Sequence, residues 1–139
     1  MDNPDFRLLR VLVVDDQGAM RSIIKRLLRQ GGITDVEEAS DGEQALEILR
    51  GARTKSFDLI ISDLHMERLD GISMCNRIRR CEKIRDRSIP IVILTGDDDD
   101  LLHEVVQQVA AVCVLTKPVS VSELFDGIAS ATGFIASAA

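Results

Sequence analysis

The sequence predicts an α/β domain: a doubly wound, open parallel sheet with helices on both faces. Three observations carry that expectation. Five short runs of Val, Ile and Leu recur along the 139 residues, without the apolar-polar alternation of a sheet wetted on one side. Stretches of helical period separate them, so strand and helix alternate five times over short connections. The strong runs also end on charged or hydroxyl residues, most sharply in VLVVDDQ (11–17), where four apolar residues meet two adjacent carboxylates.

VLVV (11–14) is the first strand. In the helix that follows, Ala19, Ile23 and Leu27, with the neighbouring Met20, Ile24 and Leu28, form an apolar stripe. Arg21, Lys25, Arg26 and Arg29 take the remaining face, and QGG closes the segment. DVEEA (35–39) is a weaker strand. Asp41 is a candidate N-cap for GEQALEILRGA, whose Ala45, Leu46 and Leu49 face inward and whose Gly51 ends the run. DLIIS (58–62) is the third strand.

Gly71 begins ISMCNRIRRCEKIRD, with Ile72, Cys75 and Ile78 on one face and arginines elsewhere. Pro90 marks entry to the fourth strand, IVIL (91–94). The acidic DDDD of 97–100 suits a helix N-terminus through the macrodipole, and LLHEVVQQVAA continues that helix. VCVL (112–115) is the fifth strand; Ser120 or Ser122 then caps SELFDGIASA, with Leu124 and Ile128 turned inward. The expected division is an extension over 1–6, one domain over 7–131 and a small-residue tail over 132–139.

The bulk composition excludes several classes. At 45% apolar and 29% charged residues the chain lies near the globular average and away from the disordered class. Its net charge of −6, with basic residues on helical stretches and no interleaved aromatics, argues against a nucleic-acid surface. The first residues lack the apolar segment of a secretory signal, and no run approaches the ~20 apolar residues of a membrane span. A cytoplasmic location is therefore expected, with no membrane partner. Cys75, Cys81 and Cys113 are odd in number and lack the paired spacing of a zinc or redox motif, so they read as structural or incidental thiols.

The residues that end the strands carry the chemistry. Asp15 and Asp16 follow the first run, Asp63 the third, Thr95 the fourth, and Lys117 stands just past the fifth. In an open parallel sheet the carboxyl ends of the strands form the ligand crevice, so these side chains converge. Three carboxylates from two strands make a hard oxygen site for Mg²⁺, which offsets the repulsion between Asp15 and Asp16. A lysine and a hydroxyl beside that cation suit the oxygens of a phosphoryl group, with one carboxylate as nucleophile.

VLVVDD, DLIISDLHMERLDG, IVILTG and VLTKP, in that order and at these separations, resemble the receiver domain of two-component response regulators, including single-domain regulators of the chemotaxis type. The resemblance runs over about residues 7 to 131. It implies a flavodoxin-like sheet of order 2-1-3-4-5 flanked by five helices. It also implies that Asp63 accepts a phosphoryl group from a sensor histidine kinase or histidine phosphotransfer protein, in a switch rather than an enzyme. Asp16, Asp63 and the backbone carbonyl of His65 would bind Mg²⁺ directly and Asp15 through water, with Mn²⁺ able to substitute. Thr95 and Lys117 would each take a phosphoryl oxygen, and the Lys117–Pro118 peptide is expected to be cis.

The sequence departs from the family pattern in places. Val114 stands where the family usually has an aromatic ring that swings inward, and a β-branched side chain cannot act that way. Glu67 replaces a common proline, and Ala110 and Ala111 stand where a glycine often ends a helix. His65, two past the acceptor, and Asp97, two past Thr95, flank the site and are expected to set the lifetime of the phosphorylated state. Gly96 would leave the acceptor open to a partner, and the basic face of the first helix would dock the phosphohistidine donor. The downstream partner is either a separate protein or an output domain outside this chain.

Two other classes fit less well. A Mg²⁺-dependent phosphohydrolase would carry an Asp-x-Asp nucleophile motif, where this chain has DLH at 63–65. A flavodoxin-like redox protein would offer a hydroxyl- and glycine-rich phosphate cradle and stacking Trp or Tyr; the loop here is DDQGAM, and Trp and Tyr are both absent.

Overall fold

A computed structural model describes residues 6–51, 57–84, 86–96 and 112–133. Its centre is one five-stranded parallel sheet in the order β2-β1-β3-β4-β5, formed by β1 (Arg10–Val14), β2 (Asp35–Ala39), β3 (Leu59–Asp63), β4 (Ile91–Thr95) and β5 (Val112–Thr116). Every neighbouring pair is parallel, with Val11 opposite both Val36 and Leu59, Ile60 opposite Ile91, and Thr95 opposite Thr116. Val11 to Val14, Leu59 to Ser62 and Ile91 to Thr95 are wholly buried, as expected for central strands covered on both faces. DVEEA is weak in apolar residues because β2 is an edge: its Asp35, Glu37 and Glu38 face water while Ala39 is buried.

Four helices lie among the described residues: α1 (Gly18–Gln30), α2 (Gly42–Gly51), α3 (Gly71–Arg80) and α4 (Val121–Thr132). The helix expected over DDDD and LLHEVVQQVAA, with Asp97, His103, Ala110 and Ala111, lies outside the described residues. Two cores flank the sheet. Ile24 and Leu28 of α1 and Leu124 and Ile128 of α4 pack on Val11, Val13, Ile61 and Leu94. Leu46 and Leu49 of α2 and Met74, Cys75 and Ile78 of α3 pack on Leu12, Val14, Ile60 and Ile93. The domain is therefore doubly wound, and no described helix is long and apolar enough to cross a membrane.

Packing narrows two of the expected stripes. On α1 the buried positions are Ile24 and Leu28, with Met20 and Leu27 at their margin, while Ile23 is 39% exposed and Ala19 faces water. A single helix face about 100° wide meets the sheet, and Ala19 and Ile23 fall outside it. On α3, Met74 takes the central place beside Cys75 and Ile78, and Ile72 is only partly covered.

The starts of α2, α3 and α4 are capped by side chains, whereas Gln17 before α1 makes no side-chain cap. Asp41 Oδ1 accepts from the Gln44 N–H at 2.8 Å, and Asp70 Oδ1 accepts from the Ser73 N–H at 2.7 Å. Between the two serines before α4 the structure selects Ser120: its hydroxyl accepts from the Glu123 N–H while Glu123 accepts from the Ser120 N–H, a capping box. At the opposite pole a short 3₁₀ turn, Phe6–Leu8, brings the Phe6 ring edge-on to Phe125, with centroids 5.4 Å apart.

Candidate functional site

The site lies at the carboxyl ends of β1, β3, β4 and β5. The chain leaves β1 toward β2 on one side and later returns to build β3 on the other, so the crevice opens between the ends of β1 and β3. Asp15 and Asp16 lie on one lip and Asp63, the last residue of β3, on the other. One carboxylate oxygen from each of the three residues falls within 4.8 Å of the others.

Asp15 is wholly buried. Its Oδ1 accepts from the Gln17 N–H at 2.9 Å, whereas its buried Oδ2 has no hydrogen-bond partner and lies 3.9 Å from Lys117 Nζ. Burial pushes the Asp15 carboxyl above its ordinary value, against the lowering effect of the Gln17 N–H; the charges of Asp63 and Asp16 raise it further and that of Lys117 lowers it. An orphaned buried oxygen inside a three-carboxylate group is what a hard divalent cation would satisfy, and the donor set is all oxygen. The described residues thus fit a metal ion.

Asp63 is held from two directions. Lys117 Nζ donates to its Oδ1 at 3.0 Å, and the Leu64 N–H donates to the same oxygen at 2.9 Å. Lys117 is positioned by the sheet, since its own N–H donates to the Thr95 carbonyl at 2.8 Å, just past the paired Thr95 and Thr116. Thr95 is buried at the end of β4, and the Lys117–Pro118 peptide is cis. Adding a Cβ at the neighbouring Gly96 would meet nothing within 4 Å.

Other residues singled out from the sequence lie farther out. His65 is exposed on the loop after β3. Val114 is half-buried in β5 and packs against the core shared with α2 and α3. The basic face of α1 is divided: Arg21 and Lys25 bind Glu38 of β2 at 2.9 and 3.1 Å, while Lys25, Arg26 and Arg29 line a shallow groove with Ser22. Glu67 joins Asp16, Asp41, Glu43 and Glu47 around an acidic cleft beside the site.

Three contributors escape a reading of the sequence. Arg21 Nη1 donates to the Asp15 carbonyl at 2.6 Å, although in sequence it reads only as one of several basic residues on α1. Ser62 is buried in β3 and its hydroxyl donates to the Asp63 carbonyl at 2.8 Å. Gly71 opens α3 against the end of β3: a Cβ there would lie 2.7 Å from the Asp63 carbonyl oxygen and 3.1 Å from Ile93 Cδ1. DG at 70–71 is the one local signal for the last, since a glycine after a capping aspartate marks a close approach.

The fold and site define a doubly wound α/β domain whose strand ends gather three carboxylates and a lysine. A family profile described as the response regulator receiver domain matches residues 11–129. The transcriptional regulatory protein PdtaR of Mycobacterium tuberculosis is 35% identical over 119 residues, 86% of this chain and 54% of that protein. The chemotaxis protein CheY of Pseudomonas aeruginosa is 35% identical over 89 residues, 64% of this chain and 68% of that protein. Among solved structures, a response regulator receiver domain protein from Clostridium thermocellum superposes with a TM-score of 0.73 at 31% identity, covering 91% of this chain and 95% of that one. CheY4 of Vibrio cholerae gives 0.73 at 30% identity over 86% of this chain and 95% of its own. The chain belongs to the receiver domain family of two-component response regulators. It spans about half the length of PdtaR.

Proposed function

We propose that this chain is a phosphoacceptor switch in which Asp63 takes a phosphoryl group from the phosphohistidine of a sensor histidine kinase or a histidine phosphotransfer protein. The observation that carries the reading is the pairing of Lys117 with Asp63 at 3.0 Å beside Asp15 and Asp16. Both donors to Asp63 converge on Oδ1, so Oδ2 is the oxygen that attacks phosphorus as the phosphorus–nitrogen bond to histidine breaks. Lys117 meets the negative charge of the arriving phosphoryl oxygens, and Thr95 takes another oxygen and draws its loop inward. The group is not turned over on external substrates, so the chain is a switch and not an enzyme.

Asp16, Asp63 and the His65 carbonyl would hold Mg²⁺, or Mn²⁺ in its place, with Asp15 acting through water. Bound there, the cation supplies charge neutralisation for the carboxylates and the phosphoryl oxygens. His65, two past Asp63, and Asp97, two past Thr95 in the sequence, set the lifetime of the acyl phosphate. With Val114 in place of a ring, the switch works through the Thr95 loop and its neighbours, because a bistable element needs only different contacts in its two states. On this reading residues 7–131 form a cytoplasmic receiver domain that acts on a protein partner or an attached output domain, without direct contact to nucleic acid or membrane.

Intact-protein mass spectrometry after incubation with acetyl phosphate and Mg²⁺, beside Asp63→Asn, tests it. A single phosphoryl adduct that needs Mg²⁺ and is lost in the variant is expected. An adduct that persists in Asp63→Asn, or none from acetyl phosphate and none from a histidine kinase, would overturn the assignment.

A further inference from the structure

The peptide that joins Asp15 to Asp16 is gripped from outside the acid pocket. Arg21, in the first turn of α1, donates from Nη1 to the Asp15 carbonyl at 2.6 Å and from Nε to Glu38 Oε1 at 2.9 Å. The second oxygen of Glu38 accepts from Lys25 Nζ at 3.1 Å. Glu38 lies on β2, opposite Val13 of β1, so the clamp is anchored in the neighbouring strand. The hydrogen bonds from Lys25 and Arg21 hold the Glu38 carboxyl below its ordinary value, so it stays ionised.

The three carboxylates do not share this anchoring equally. Asp15 is fixed by its N–H on the Ala39 carbonyl at 3.1 Å and by its side chain on Gln17. Asp63 is fixed by Lys117 and Leu64. Asp16 is exposed, two residues past the end of β1, and the direction of its side chain follows from the tilt of the peptide before it. The oxygen of that peptide is the one Arg21 holds.

We propose that Arg21, clamped by Glu38, is a positioning residue that sets the Asp15–Asp16 peptide and thereby aims Asp16 at Asp63 to complete the divalent-cation site. The inference rests on the phosphoacceptor reading above. The sign of the effect distinguishes positioning from charge. A guanidinium near a cation site repels the cation, so if charge were its whole effect its removal would tighten binding. If it positions Asp16, its removal loosens binding.

Mn²⁺ affinity of the full chain, read from the paramagnetic resonance signal of free Mn²⁺, separates the two. Arg21→Ala is expected to weaken Mn²⁺ binding by about tenfold, in the range seen when a partner of a metal ligand is lost. Glu38→Ala weakens it in the same direction, and Glu38→Gln restores it, because the amide oxygen still accepts from Nε. With acetyl phosphate as donor, which needs no docking face, the Mg²⁺ concentration for half-maximal phosphorylation rises in Arg21→Ala. Where circular dichroism shows that Arg21→Ala does not fold, Arg21→Lys carries the test: it keeps the charge, loses the two-partner grip, and should still bind Mn²⁺ more weakly. Wild-type or tighter affinity in the folded Arg21 variant would overturn the proposal. Failure of the wild type itself to bind Mn²⁺, or binding indifferent to Asp63→Asn, would instead overturn the metal reading and this inference with it.

Discussion

Replacing Asp15 by asparagine removes a buried charge and leaves the shape of the site nearly intact, and the fold should become more stable for it. Asp63 within 4.8 Å repels Asp15 by about 3.5 kcal/mol at an effective dielectric of about 20. Lys117, 3.9 Å away, attracts it by about 4 kcal/mol on the same scale, so those two effects nearly cancel. What remains is the burial of a carboxylate oxygen without a partner, with a screened contribution from the exposed Asp16. Leaving a buried polar atom unsatisfied costs about 1–3 kcal/mol. In Asp15→Asn the bond from the Gln17 N–H is retained, and the new NH₂ is a donor among carboxylates. A gain of about 1–3 kcal/mol at pH 7 without divalent cations follows, or a Tm increase of roughly 3–12 °C for a domain of this size.

Far-UV circular dichroism is the assay, because the chain has no Trp or Tyr to report unfolding. The difference also has a pH signature. The Asp15 carboxyl is raised in the fold above its ordinary 3.8, so the folded state binds that proton more tightly than the unfolded chain. Wild-type stability relative to the variant therefore improves as pH falls from the raised folded value toward 3.8, and the advantage of Asp15→Asn shrinks. On the proposed metal reading, added Mg²⁺ is expected to act in the same direction, stabilising the wild type by about 2.7 kcal/mol at a hundredfold excess over Kd and the variant by less. A variant less stable than the wild type at pH 7 without divalent cations, or an advantage that grows with acid, would refute the reasoning.

Two further outcomes are expected. Gly71→Ala puts a methyl 2.7 Å from the Asp63 carbonyl oxygen, and because the obstacle is backbone the cost should be about 1–3 kcal/mol by urea unfolding, with slower phosphorylation on the proposed phosphoacceptor reading of Asp63. Burial pushes the Cys75 thiol up to about 12, so iodoacetamide at pH 8 should leave it unmodified in the folded chain and label it in urea, as peptide mass mapping would show.

Much of the fold is legible in the residues because strand and helix periodicities are local. The central strands announce themselves as unbroken apolar runs, since both faces are covered, and β2 reads weakly because an edge strand has less to bury. Strand ends are blurred by one residue: Asp63 and Thr95 close β3 and β4 instead of following them, because their backbones still pair with the neighbouring strand. The inward face of α1 is displaced from Ala19 and Ile23 toward Ile24 and Leu28, a choice among neighbouring apolar residues that only the sheet makes. Either of two serines could have capped α4, and the reciprocal bond with Glu123 decides for Ser120.

The sequence by itself determined the class of the domain, the parallel sheet and the gathering of Asp15, Asp16, Asp63, Thr95 and Lys117 at one end of it. Each of those residues stands at or just past the end of a strand, and parallel strands in one sheet bring such ends together wherever the helices pack. Tertiary structure alone decided that Asp15 keeps an orphaned oxygen, that Lys117 settles on Asp63 rather than Asp15, and that Arg21 reaches the Asp15 carbonyl from a clamp on Glu38. Those outcomes turn on distances of an ångström between side chains far apart in the chain, which tertiary packing sets and local pattern does not record.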